Sequence, residues 1–257
     1  MKGKNKAIEI GERKTAKCGI DYIALGRTDS GKILVEFQDE WKYQTEVYLQ
    51  NYKNGSILNP YSNRLYGVGY RGAGKHMTVT TGNAQNPVYT VWHNMLRRCY
   101  YKPYQERHTS YIGCSASEEW FCFQNFAEWW DDNCYTIEGE RMELDKDLLV
   151  KNNKVYCPER CCILPQRINL IFPAKKSFRN GTPPGVQRLE SGKFMATCGI
   201  RSKSTESLGV FDTAEDAFQA YKERKEKNMK EVADQYKSHL PQRVYDALYN
   251  WKIEITD

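Results

Sequence analysis

Two residues with oxygen donors, Asp145 and Asn169, lie at the ends of LDKDLLVKNNKVYCPERCCILPQRIN (144–169), where residue types and spacing suggest cation chemistry. LDKDLLV reads as one strand and KVYC as a second. Lys151-Asn152-Asn153-Lys154 joins them, with asparagines that tolerate positive φ. Cys157-Pro158-Glu159 reads as a helix start, with Pro in the first turn, where a missing N–H costs little. That helix is expected to continue through Arg160, Cys161, Cys162 and Arg167 to Asn169. A hairpin feeding a helix can clasp one divalent ion, with Asp145 from the strand and Asn169 from the helix end supplying oxygens that a hard cation such as Mg²⁺ or Mn²⁺ prefers. Lys146, beside Asp145, has an ordinary pKa of about 10.4 and so carries its proton at neutral pH. The carboxylates of Asp145 and Asp147 favour that charged form, so Lys146 is a poor general base.

At these residues the chain resembles the HNH (ββα-metal) endonucleases, in particular their phage-borne, homing-type branch. In that family a strand carries a ligand followed by a general-base His. The helix opens with Pro-Glu-Asn, and the last ligand, His or Asn, follows nine residues after that Asn. Asp145 matches the first ligand, Pro158-Glu159 the helix start and Asn169 the last position, whereas Lys146 stands in place of the His and Arg160 in place of the middle Asn. The likeness extends over 88–170 through Trp92, Met95, Arg98-Cys99-Tyr100, Tyr111, Gly113, Trp120, Phe123, Phe126 and Trp129. The resemblance implies an endonuclease that nicks DNA with one Mg²⁺ or Mn²⁺ on Asp145 and Asn169. The base missing at Lys146 would then come from His93, His108 or a metal-bound water.

A second resemblance lies downstream. GVQRL, KFMATCGIR and ESLGVFD read as three strands, and Asp212-Thr213 caps an amphipathic helix with Ala214, Ala217, Phe218 and Tyr221 on one face. Gly185-Val186, Ser191-Gly192-Lys193-Phe194, Leu208-Gly209, Phe211-Asp212-Thr213, Glu215, Ala217 and Ala220-Tyr221 resemble the plant ethylene-response-factor type of DNA-binding domain, which is also found in phage and bacterial homing endonucleases. A three-stranded sheet backed by a helix can enter a major groove. On its free face Arg188, Lys193, Arg201 and Lys203 are the expected phosphate or guanine contacts.

Other elements must position these residues. Residues 1–17 read as a basic arm. Residues 18–59 contain the apolar-aromatic runs IDYIALGRT, KILVEFQD and TEVYLQNY between turn signals, which suggests a small SH3-like barrel. Residues 60–87 are a Gly-rich linker carrying Arg71, Lys75 and His76, without the context of a nucleotide loop. VYTVWHNMLRRC (88–99) is an expected helix, and EEWFCFQNFAEWW, preceded by Ser117 as N-cap, is another whose aromatic stripe reads as core. Residues 171–184 are a basic, Pro/Gly-rich linker, 185–240 the sheet-plus-helix module and 241–257 a tail with a short helix.

Charge sharpens the picture. The net charge is +6, and it is unevenly spread. Residues 113–140 hold seven acids and no Lys or Arg, whereas 141–210 hold 13 Lys/Arg against 6 acids. Phosphate contact is therefore expected on the basic blocks, through Arg97, Arg98, Lys151, Lys154, Arg160, Arg167, Lys175 and Lys176. Nine scattered cysteines without a Cys-x-x-Cys pair fit reduced, buried thiols. No apolar run approaches the roughly 18 residues of a membrane span, and no secretory signal is visible, so a cytoplasmic protein is expected, in the host cytoplasm if phage-encoded.

The expected fold is α+β: a small N-terminal β-barrel, a central HNH-like ββα unit (88–170) with flanking helices, and a C-terminal three-stranded sheet plus helix. The expected function is that of a phage-type DNA-binding protein related to homing endonucleases, nicking double-stranded DNA. The alternative is an inactive HNH scaffold that serves as a DNA-binding regulator or as a protein-binding inhibitor of host defence. Lys146 and Arg160 favour the alternative.

Overall fold

A computed structural model describes residues 8–62, 64–172, 181–201 and 204–255. In chain order the strands are β1 (Arg13–Thr15), β2 (Asp21–Arg27), β3 (Ile33–Phe37) and β4 (Gln44–Val47), followed by helices α1 (Leu49–Asn54), α2 (Pro87–Tyr100) and α3 (Lys102–Arg107). Next come β5 (Ser115–Ala116), α4 (Phe123–Asn133), β6 (Met142–Asp145), β7 (Val155–Tyr156), β8 (Cys162–Pro165) and α5 (Gln166–Asn169). The chain closes with β9 (Val186–Arg188), β10 (Phe194–Arg201), β11 (Ser204–Phe211), α6 (Ala214–Tyr236) and α7 (Gln242–Tyr249). The fold is mixed α+β, as expected, and it divides into two compact units.

The first unit comprises 1–101 and 118–128. Its sheet has the order β1-β2-β3-β4, antiparallel throughout. In β3, Ile33, Val35 and Phe37 are buried and alternate with Leu34 and Glu36, the two-residue period of a half-covered strand. Each such burial contributes about 1.5–3 kcal/mol. The expected barrel is not closed, because β1 and β4 remain separate edges. Part of the reason lies in TEVYLQNY, which leaves the sheet at Tyr48 and becomes α1. Gly55 caps α1 at φ +69°, and a Cβ there would stand 2.9 Å from the Thr15 carbonyl oxygen. The Tyr22 hydroxyl donates to the Tyr52 carbonyl at 2.6 Å, tying α1 to the sheet. Strand β1 lies within the expected basic arm, so residues 13–15 belong to the sheet. Met1 to Ala7 lie outside the described residues.

Helix α2 begins at Asn86, whose side chain accepts from the Val88 amide, with Pro87 at the first position. Its buried Trp92 donates from the indole nitrogen to the Trp120 carbonyl at 2.7 Å. Ser117 precedes a 3₁₀ turn over Glu118–Phe121 rather than one continuous helix, and α4 starts afresh at Phe123. The Gly-rich stretch is anchored rather than loose. Tyr70 bridges to Cys122, and the buried Gln124 side chain accepts from the His76 amide and donates to the Arg71 and His76 carbonyls.

The second unit comprises 102–117 and 129–257. Here the 144–169 stretch departs from expectation. Strand β6 pairs not with KVYC but with β8, in the antiparallel register Met142↔Pro165, Glu143↔Leu164, Leu144↔Ile163 and Asp145↔Cys162. Strand β7 instead pairs parallel with β5. The helix expected from Cys157 is absent: Cys157–Arg160 form a turn, CILP is a strand, and only Gln166–Asn169 are helical. All four residues of β8 are buried, and a fully buried run carries no alternation to separate strand from helix. A strand–strand–helix order survives as β6, β8 and α5, with a long loop (146–161) between the strands.

The C-terminal elements form as expected. Strand β10 is the centre of the order β11-β10-β9, and α6 starts at Thr213, whose hydroxyl accepts from the Asp216 amide at 3.1 Å. Leu148, Cys162, Leu164 and Ile168 share one core with Val186, Ala196, Cys198, Ala217, Tyr221 and Leu248. The 144–169 stretch and the C-terminal sheet are thus parts of a single body.

Candidate functional site

Loop 146–161 is built around an ammonium. Lys146 is 5% exposed. Its Nζ donates to Asp147 Oδ2 at 2.7 Å and to the Asn153 carbonyl at 2.7 Å. The Asn153 side chain answers by donating to the Lys146 carbonyl at 2.9 Å and the Val155 carbonyl at 2.7 Å, while its Oδ1 accepts from the Val155 amide. The Tyr156 ring lies 6.0 Å from the ammonium. Its nitrogen is thus engaged as a donor to a carboxylate and a carbonyl within the loop itself. Lys146, expected at the position of a general base, is here part of the loop's own hydrogen bonding.

Asp145 is occupied as well. Its Oδ1 accepts from the amides of Asp147 at 2.9 Å and Leu148 at 2.7 Å, forming the turn that ends β6. Burial is the largest influence on this carboxyl and raises its pKa above the ordinary aspartate value, against those amides. Asn169 is engaged elsewhere: its Nδ2 donates to Glu143 Oε2 at 3.0 Å, and Gln166 donates to Glu143 Oε1 at 2.8 Å. The sequence reading missed Glu143 and Asn153, whose partners become visible only once the β6–β8 register is known. Asp145 sits at the Cys162 end of that pair and Asn169 beyond the Pro165 end, so the strand runs between them. Asp145 Oδ1 and Asn169 Nδ2 are thus engaged within the fold. Among the described residues there is no group of three or more His, Cys, Asp and Glu side chains placed to hold a metal.

The candidate bases are also placed. His93 lies in the first unit, with Nε2 3.3 Å from the Tyr66 hydroxyl, and burial, the larger influence, together with Arg97 lowers its pKa. His108 is exposed, its ring tilted by 33° against that of Tyr104 with centroids 4.3 Å apart. The thiols that follow the loop, Cys161 and Cys162, are buried, which pushes their pKa values up and keeps them protonated.

The expected DNA contacts fall into distinct sets. Arg97 and Arg98 are half-buried on α2 of the first unit. Three cations project from loop 146–161. Lys151 donates to the Lys252 carbonyl at 2.9 Å and lies over the Trp251 ring, and the exposed Lys154 donates to the Ser110 carbonyl at 2.8 Å. Arg160 is exposed and has no ion pair among the described residues. Arg167 faces Glu140 at 3.9 Å, and Lys193 pairs with Asp212 at 2.9 Å, which diminishes both as phosphate contacts. Lys175, Lys176 and Lys203 lie outside the described residues; Arg201 pairs through its backbone with Ser204.

Of the cations expected on the free face of the C-terminal sheet, the side chains of Arg201 and Lys203 lie outside the described residues. Gln187 pairs with Met195 and Val210 with Met195, while Ser207 faces Thr197. These residues share the side away from α6, because Ala196 and Cys198 point into the core. Arg188 pairs with Phe194, which puts it on the helix side at the sheet margin. Compared with protein-family models, curated proteins and solved structures, the chain finds no match.

Proposed function

We propose that the chain is a DNA-binding protein that does not cleave its target, a scaffold of the HNH homing-endonuclease type in which the base position has become structural. The supporting observation is Lys146, whose ammonium is buried between Asp147 and the Asn153 carbonyl where the nuclease reading requires an imidazole. The strand–strand–helix order of β6, β8 and α5 is consistent with such a scaffold, at boundaries different from those expected. Converting Lys146 into a cross-link for loop 146–161 trades proton transfer for rigidity, and the loop holds Lys151, Lys154 and Arg160 outward. Neutralised phosphates release counterions, so binding through this loop is salt-dependent and only weakly sequence-selective.

A gel-shift titration over a salt series, run beside supercoiled plasmid with Mg²⁺ or Mn²⁺, tests this. The expected result is retained duplex DNA, no nicked product, and an affinity that falls as salt rises. Replacing Lys154 and Arg160 by Gln lowers the slope of log K against log salt by about 2, roughly 0.9 for each phosphate contact. Nicking that is lost in Asp145→Ala would restore the nuclease reading. No retention of DNA at low salt would leave a protein-binding role instead.

A further inference from the structure

The first unit contains a cleft of about 530 Å³ along β4, one of the two edges of its sheet. In the β3–β4 register Phe37 donates to the Tyr43 carbonyl, so Val35–Thr45 and Ile33–Val47 are the hydrogen-bonded pairs. Gln44 and Glu46 accordingly turn their amide and carbonyl groups outward, and no strand pairs with that edge among the described residues. Beside it stand three large apolar side chains, Tyr48, Leu58 and Met77, exposed by 68%, 67% and 64%. All three line the cleft. Its far wall is the Gly-rich loop. A Cβ at Gly72 would press on Cys122 Sγ, and one at Gly74 would overlap the Gln124 side chain, so the loop closes on Gln124 only because both positions are glycine.

That loop supplies charge. Arg71 lines the cleft, its Nε is buried without a hydrogen-bond partner, and it has no ion pair among the described residues. Lys75, four residues on, is exposed and also has no ion pair there. The one carboxylate that lines the cleft, Glu46, is shared with Lys32 at 3.8 Å and with the Ser30 hydroxyl. An open β-edge recognises extended backbone, flanking apolar side chains recognise alternate residues, and unbalanced cations recognise a carboxylate.

We propose that this cleft binds an extended, acidic peptide segment of another protein, which adds to β4 as a fifth strand and places a carboxylate against Arg71. The surface belongs to the first unit.

Random dodecapeptides displayed on phage and panned on the full chain test it, with the selected peptide then titrated by fluorescence polarisation. Selected peptides share an Asp or Glu at one position among β-branched and apolar residues. Arg71→Gln weakens binding by roughly tenfold or more, as does proline at the centre of the peptide. Glu46→Pro, which removes an outward N–H while leaving the bonds to β3, does the same with the circular dichroism spectrum unchanged. Failure to select any peptide family, selection of peptides without an acid, or binding indifferent to both variants overturns the proposal. So does a single-stranded oligonucleotide that binds with the same dependence on Arg71.

Discussion

Lys146 and Asn153 hold one another reciprocally: the lysine ammonium donates to the asparagine carbonyl at 2.7 Å, and the asparagine amide donates to the lysine carbonyl at 2.9 Å. Six residues of loop, 147–152, are enclosed by this exchange, and Asn152 lies in the left-handed region at φ +61°. Removing one partner leaves a buried polar group without its complement. Lys146→Ala is expected to cost about 3 kcal/mol in urea denaturation. Asn153→Ala should cost about 1–3 kcal/mol, and the double variant less than the sum of the two. Strict additivity would mean that the pair is incidental.

Asp145 gives a pH signature. Burial raises its pKa in the folded state, so its protonated form is the one that folding favours. Its contribution is then fully present below the unfolded value of about 3.9 and is lost as pH rises through the raised folded value. Asp145→Asn keeps an oxygen for the Asp147 and Leu148 amides and carries no charge, so it should match or exceed the parent in stability above that window. Asp145→Ala loses the acceptor and should destabilise by about 1–3 kcal/mol. Urea melts between pH 4 and pH 8 separate the two variants. An Asn variant as unstable as the Ala variant at neutral pH would contradict the assignment.

Lys225 is buried on α6 at 8% exposure, and desolvation, opposed by the nearby Cys198 thiol, lowers its pKa. A lysine with a lowered folded pKa opposes folding while it is charged. The penalty is complete below the folded value and fades as pH rises toward the unfolded value of about 10.4. Lys225→Met should therefore raise the melting temperature at pH 7 and lose that advantage toward pH 10. Thermal melts across that range decide it, and a variant less stable at pH 7 would contradict it.

Gly185 meets two constraints at once. Its φ is +72°, and an added Cβ would overlap the Tyr221 ring on α6. Gly185→Ala should cost about 2–4 kcal/mol, combining backbone strain with overpacking. Gly192→Ala, at φ +81° in open space, should cost only about 1 kcal/mol. Equal losses would mean that Tyr221 moves freely.

Thiol accessibility tests the cores of both units. Cys18 is exposed, whereas Cys99, Cys114, Cys122, Cys157, Cys161, Cys162 and Cys198 are buried. A thiol-specific reagent at pH 8 should modify Cys18 rapidly and the buried group only on unfolding. Rapid modification of Cys161 or Cys162 would show that β8 is not packed as described.

What the sequence determined by itself was local. The apolar-aromatic run of β3, the apolar stripe of α2 and the Thr213 cap of α6 each encode their element within a few residues, and these formed close to where expected, with α2 starting at Pro87, inside the expected linker. The mixed α+β class and the helix-backed C-terminal sheet followed from the same signals. Tertiary structure decided what depends on distant partners. CILP is a strand because β6, 17 or more residues upstream, offers it an edge, and its four buried side chains gave no periodicity to read. Asp145 and Asn169 looked like ligands at the right spacing; the fold adds hydrogen bonds from the Asp147 and Leu148 amides to Asp145 Oδ1 and from Asn169 Nδ2 to Glu143, which spacing could not show. Lys146 could be read only as the wrong residue for a base; that it cross-links a loop is a fact of register and burial, which no window of sequence contains.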